Sequence, residues 1–283
     1  MDIKNLAGLS KPLTKLIEVI ASGCNWIAQP YQIKRLANAN AYASSIQSKE
    51  EFKQGLMNSL LEYTQRSILS VRENRQVENL ANIINYAEQE LQAIDKINDT
   101  PVSPEWSSRF FDYAQNIYEE EAQIVWAKIL AQETASPGKF FKRTLDILHN
   151  IEPFEAKWFV ELCQFVLDDI YIHFDVILYE YFKTNKLQSM MDCGLLNAQK
   201  CIITFDKSVD TINFKSYRLI KKFSNIQPEN ISMSGFTLTD AGYQLYKITQ
   251  VSSNLDFVKK IQEQLKNKGL NFEIKECNTQ EHQ

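Results

Sequence analysis

Residues 103–148 read SPEWSSRFFDYAQNIYEEEAQIVWAKILAQETASPGKFFKRTLDIL, and this stretch decides the fold class. Ser103 and Pro104 form a helix-opening pair, because a serine caps and a proline fits the first turn, where its missing N–H costs nothing. Trp106, Phe110 and Ala114 then recur at helical spacing. Asn116 permits a break. Glu119, Glu120 and Glu121 follow in what becomes the first turn of the next helix, where the positive end of the helix dipole favours carboxylates. That helix carries Ile124, Val125, Ala127 and Leu130, with Trp126 at its edge, until Ser136-Pro137-Gly138 stops it. A third helix presents Phe140, Phe141, Leu145 and Leu148. The stretch predicts a helical core.

Working outward, glycine is absent from Leu56 to Pro137, and Pro101 and Pro104 are the only prolines in that span before Pro137. Long helices are expected there. Leu6, Leu9, Leu13, Leu16, Ile17 and Ile20 predict a first helix capped by Ser10 and ended by Gly23. A second begins near Ile33, a third spans 49–72 and a fourth 75–97. Asn98–Ser103 is a loop. Glu152-Pro153 opens a further helix that carries Phe159, Cys163 and Val166. Over residues 168–182 the alternation of Ile170, Ile172, Phe174 and Val176 suits a strand, while the run to Phe182 suits a helix. Weak turn signals favour the helix.

From Lys186 the texture changes. A short helix ends at Gly194. Residues 200–206 and 212–223 are β-rich and separated by Lys207-Ser208-Val209-Asp210, which predicts that they pair as a hairpin. A strand at 236–239 leads through a Thr/Asp cap into a helix. Residues 254–268 form an amphipathic helix ended by Gly269, and a strand closes the chain. The expected architecture is mainly α, with a helical domain over 1–185, a smaller α+β, winged-helix-like domain over 186–276, and a flexible tail over 277–283.

The 283 residues carry 16 Phe and 12 Tyr, which excludes global disorder. Net charge is −4, but residues 101–185 hold seven Lys/Arg against fourteen Asp/Glu, and residues 186–275 hold thirteen against eight. Five scattered cysteines without a C-x-x-C pair suit a reducing compartment. No signal-peptide layout or spanning run is present, so a cytoplasmic protein is expected.

Chemical motifs are sparse. Walker, G-x-G-x-x-G, G-x-S-x-G and H-E-x-x-H patterns are all absent. His149, His173 and His282 lack Cys or His partners at ligand spacing, so no metal and no cofactor is expected. Glu121, Glu133 and Arg143 are the candidate catalytic residues of a hydrolase reading. The competing reading is scaffolding, with Arg143 linked to Glu133 or Glu121 across the Ser-Pro-Gly turn. Lys215, Arg218, Lys221 and Lys222, interleaved with Phe214, Tyr217 and Phe223, are candidate phosphate contacts on the wing of a nucleic-acid-binding domain. The apolar stripe of residues 6–20, with Lys11, Lys15, Trp26, Lys34 and Arg35 nearby, suits either a membrane surface or the protein's own core.

Three motif runs carry a family resemblance. W-x-x-R-F-F (Trp106–Phe111), E-E-x-Q-x-x-W-A-K-I-L-A-x-E (Glu120–Glu133) and P-G-x-F-x-x-R-T-L-x-I-L (Pro137–Leu148) resemble the bacterial domain-of-unknown-function family 2806. E-A-x-x-F (Glu155–Phe159) and L-T-x-A-G (Leu238–Gly242) fit the same pattern. The layout is more distantly similar to the Abi-alpha group of abortive-infection proteins. That resemblance implies phage defence and no assigned catalytic residue. The leading expectation is a non-enzymatic protein-interaction module with an unidentified protein partner. The alternatives are nucleic-acid binding through the basic wing and, below that, the hydrolase.

Overall fold

The computed structural model describes residues 11–23, 71–173, 180–206, 209–222 and 230–277. The chain divides into two compact units, Met1–Leu145 and Asp146–Gln283. The predicted helix that begins near Ile33, all but the last two residues of the predicted 49–72 helix, residues 6–10 of the first helix, and the tail beyond Cys277 lie outside the described residues.

The described residues of the first unit form α1 (Lys11–Gly23), α2 (Val71–Gln92), α3 (Pro104–Ala114) and α4 (Glu120–Ala135). Leu80, Ile83, Ala87 and Leu91 form the buried stripe of α2, and it packs on α4. Buried residues surround α4, among them Trp126, Ala127, Ile129, Leu130 and Ala131. A helix apolar on nearly all sides belongs inside a core. Trp126, expected at the edge, is 1% exposed, because it shares a face with Leu130 one turn later. Its ring lies 5.3 Å from Phe110, which stacks on Trp106 at 5.2 Å.

The Asn116 break is held by buried amides. Gln123 donates to Asn79 Oδ1 (3.2 Å) and to the Ile117 carbonyl (2.9 Å), while Asn79 donates to the Gln115 carbonyl (2.9 Å). These bonds satisfy polar groups that burial would otherwise penalise. Gly23 does more than end α1. A methyl there would overlap Phe111 and stand 2.6 Å from the Ser107 carbonyl oxygen, so glycine permits close approach of α1 to α3.

Helix α5 (Lys142–Asn150) follows the Ser-Pro-Gly turn. The second unit comprises α6 (Pro153–Leu162), β1 (Val166–Leu167), β2 (Tyr171–His173), α7 (Thr184–Asp192), β3 (Cys201–Asp206), β4 (Thr211–Asn213), β5 (Tyr217–Lys221), β6 (Asn230–Thr237), α8 (Asp240–Ile248), α9 (Leu255–Asn267) and β7 (Phe272–Glu276). Its strands form two antiparallel sheets, β1-β2-β6-β3 and β4-β5-β7. Reciprocal bonds between Glu152 and Glu155 start α6. Thr239 and Asn254 cap α8 and α9, accepting from Gly242 N and Phe257 N at 3.0 Å each.

Several expectations are corrected. Helix α6 stops at Leu162, a 3₁₀ turn covers Cys163–Phe165, and Val166 enters β1. The lean towards helix over 168–182 fails at its start, where 166–173 is a strand pair and only Glu180 and Tyr181 are helical among the described residues. Asp168 and Asp169 make the turn with φ of 44° and 64°, positive values that Asp tolerates better than most residues and that hairpin turns require. The predicted 200–206/212–223 hairpin is also absent. β3 pairs with β6 instead, and β4 pairs with β5. The compact units divide between Leu145 and Asp146, and the pairing of β2 with β6 ties 166–173 to the C-terminal part.

Candidate functional site

The structure places the glutamate–arginine candidates in different settings. Glu121 and Arg143 are exposed, and Glu133 is 2% exposed. Among the described residues no ion pair joins the three. Glu133 instead faces the Ser-Pro-Gly turn. Its Oε1 accepts from Gly138 N (2.6 Å) and its Oε2 from Phe140 N (2.8 Å). Burial pushes its pKa up, while the backbone amides of Gly138, Phe140 and Lys139 and the Lys15 ammonium pull the other way. Both oxygens are thereby committed to shaping a turn in which Gly138 takes φ 88°.

The basic run lies on the bend between β4 and β5, in β5 and just after it. The Lys215 ammonium donates to the carbonyls of Tyr246 (2.9 Å) and Thr249 and to Thr249 Oγ1 (2.9 Å). It therefore caps the C-terminal end of α8, where the dipole favours a cation. Lys222 pairs with Glu273 at 3.4 Å. Arg218 Nε donates to Asn213 Oδ1 at 3.0 Å, and the half-buried Lys221 donates its backbone N–H to the Asp210 carbonyl. Of the N-terminal stripe, Leu16, Val19 and Lys15 are buried. Lys15 donates to the Asn98 carbonyl, and Lys11 pairs with Asp99 at 2.6 Å.

A further polar arrangement was not legible as a motif. A cavity of ≈ 300 Å³ in the second unit is lined by Asp168, Asp169, Asn213, Phe214, Lys215, Tyr246 and Lys247. The positive-φ turn supplies both aspartates. Asp168 Oδ1 accepts from Asn213 N (2.8 Å) and Nδ2 (3.1 Å), and Asp168 N donates back to the Asn213 carbonyl (2.7 Å). Burial raises the Asp168 pKa, the Asn213 donors lower it, and neighbouring Asp169 adds to the rise. Asp169 pairs with Lys247 at 3.1 Å. The Lys215 ammonium stands 4.6 Å from the centroid of the Tyr246 ring, and burial pushes the Tyr246 phenol upward. Behind them Cys163 is buried, its thiol pushed up to about 12 by burial against the opposing effects of Lys215 and Thr249. The one sequence signal for this place was the Asp-Asp pair between two apolar runs.

Among the described residues no group of three or more His, Cys, Asp or Glu is placed to hold a metal ion. No described helix is long and apolar enough to cross a membrane.

Residues 63–191 match a family model. Its description is "Protein of unknown function (DUF2806)", and the match spans under half of the chain. It contains the Trp106–Phe111, Glu120–Glu133 and Pro137–Leu148 motifs and stops before Leu238–Gly242. No curated protein matches the chain, and no solved structure does.

Proposed function

We propose that the 146–283 unit is a winged-helix-like docking module whose partner is a protein. The strand order β2-β6-β3 supports the winged-helix reading, because that fold arranges its three strands as first, third, second. The element order is consistent with it, with α6 before β2 and α7 before β3. The wing on this reading is formed by β3 and β6, with β4 and β5 inserted in its connection.

The observation that carries protein over nucleic acid is how the lysines are used. Lys186 pairs with Glu161, Lys222 with Glu273, Lys247 with Asp169 and Lys260 with Glu180, while Lys215 is consumed by the end of α8. A phosphate-tracking stripe needs cations facing outward. Meanwhile α6 exposes Phe154 at 50% and Val160 at 45%, beside the half-buried Trp158. Affinity capture with full-length protein, compared with Phe154→Glu, tests the reading. It predicts a stoichiometric protein partner that the variant loses. A duplex-DNA shift assay that shows binding with steep salt dependence, and no such partner, would overturn it.

One observation favours nucleic acid as the second reading. Arg218 and Lys275 are directly opposite each other on β5 and β7. Like charges across a ladder cost stability, and an anionic partner would relieve them. The Abi-alpha resemblance extends the proposal to a cytoplasmic role in bacterial phage response. Phage plating on a deletion strain tests that extension, which predicts altered plating efficiency and fails if efficiency is unchanged.

A further inference from the structure

The two described sheets end in four edge strands, and three of them are blunted. A strand edge presents unpaired N–H and C=O groups, and proteins shorten it, charge it or bend it to keep other chains off. β1 has two residues and β4 has three, while β7 carries Glu273, Lys275 and Glu276 among its five. β3 lacks these guards. It runs six residues, Cys201-Ile202-Ile203-Thr204-Phe205-Asp206, with no proline and no charge before its last position. Its register with β6 is one-to-one from Cys201↔Gly235 to Asp206↔Asn230, so no bulge twists it away. It stands last in the order β1-β2-β6-β3, and among the described residues no strand pairs with its outer edge.

One face of this edge meets solvent. Ile202 and Thr204 lie opposite Ser234 and Ser232, and all four are exposed, whereas Met233 on the other face is buried. Ile202 is 72% exposed, more than any other large apolar side chain among the described residues. A long, regular, apolar edge is one that another strand completes.

Charge and register favour a second copy as that strand. Lys200, Ile202, Thr204 and Asp206 alternate along one face. Antiparallel pairing of two copies centred on Ile203 sets Lys200 opposite Asp206 of the second copy, and twofold symmetry repeats that pair at the other end. It also sets Ile202 opposite Thr204 and diagonal to the second copy's Ile202, within reach of cross-strand packing. Moving the centre by one residue loses both charge pairs. Centred on Ile202, Lys200 meets Thr204, and centred on Thr204, Asp206 meets Ile202.

We propose that β3 is a dimer edge, along which two copies of this chain pair antiparallel over residues 200–206 and join their four-stranded sheets into one. Neither the winged-helix reading nor the α6 surface enters into it.

Sedimentation equilibrium on the full chain over a concentration series tests it. A single strand pair is smaller than the interfaces of stable dimers, so the mass rises from monomer to dimer as concentration climbs towards about 100 µM. Ile202→Asp changes an exposed position and weakens the dimer at least about tenfold. Lys200→Asp and Asp206→Lys each weaken it by about tenfold, because symmetry turns two attractive pairs repulsive at once. Combined in one chain, the two reversals restore opposite charges across the seam, and affinity returns to the wild-type range. Circular dichroism matching the wild type separates these effects from misfolding. The proposal is overturned if the chain stays monomeric, whether or not another protein's strand takes the edge. It is also overturned if a dimer forms that Ile202→Asp does not weaken, or if the double reversal dimerises no better than either single one.

Discussion

Truncating Glu133 to alanine separates a scaffolding carboxylate from a catalytic one. The change deletes one buried methylene, worth about 0.8 kcal/mol. It also strips the Phe140 amide of its acceptor, and that residue is 2% exposed. An orphaned buried N–H costs about 1–3 kcal/mol. Gly138 is exposed, so its amide can turn to water. The expected loss is about 2–4 kcal/mol, and Glu133→Gln loses less because one acceptor oxygen remains. Hydrogen exchange read by mass spectrometry over 136–141 measures the effect where it arises, so separate unfolding of the second unit does not enter. The pH dependence adds a second readout. Burial holds the Glu133 pKa above its ordinary value, so the folded chain keeps this proton to higher pH than the unfolded chain does. Stability from this group is complete below the unfolded value, about 4.3, and is lost as pH rises through the raised folded value. The wild type's margin over Glu133→Gln therefore shrinks as pH climbs from about 4. A Glu133→Ala cost below about 0.5 kcal/mol would refute the reasoning, and a margin that grows with pH would show that the amides outweigh burial.

Gly242→Ala places a methyl onto the Leu195 carbonyl oxygen, a backbone atom that cannot swing aside. Thermal unfolding should show a loss of at least about 2 kcal/mol, and an unchanged midpoint would deny the close approach. Lys215→Met leaves the Tyr246 and Thr249 carbonyls at the end of α8 without their donor. Urea titration should report a loss of about 2–3 kcal/mol for that charge-assisted cap. Cys163, with its thiol pushed up to about 12 and fully buried, should resist iodoacetamide at pH 8 until the chain unfolds. Peptide mapping that finds it labelled as fast as the less buried Cys193 in the native protein would contradict the packing.

Local chemistry announced the elements that depend on near neighbours. Ser103-Pro104, the Glu119–Glu121 block, Ser136-Pro137-Gly138 and Thr239-Asp240 mark helix ends, and the structure ends or starts helices at each. Capping and turn chemistry act within four or five residues, so a linear reading finds them. Periodicity also placed Leu80, Ile83 and Leu130 in a core, though it set Trp126 at the rim. The candidate carboxylates were legible as residue types only. Whether Glu133 meets an arginine or two backbone amides depends on how the Gly138 turn folds back, and nothing in the string of letters encodes that.

Strand partnership lay beyond the sequence for the same reason. Residues 200–206 read as β-rich, but their partner is 230–237 and not the nearer 212–221. The alternation in 170–176 could not outvote a helix until β6 supplied the ladder that fixes β2. The cavity is the extreme case. Asp168, Asn213, Lys215 and Tyr246 come from a turn, a strand, a bend and a helix, and only the pairing of distant strands brings them together. The sequence alone determined that the described part of the first unit is helical, where those helices start and stop, and that the second part is α+β. Tertiary structure decided which strands pair, where the units divide, and which charges are spent internally, because those outcomes are set by contacts between residues far apart along the chain.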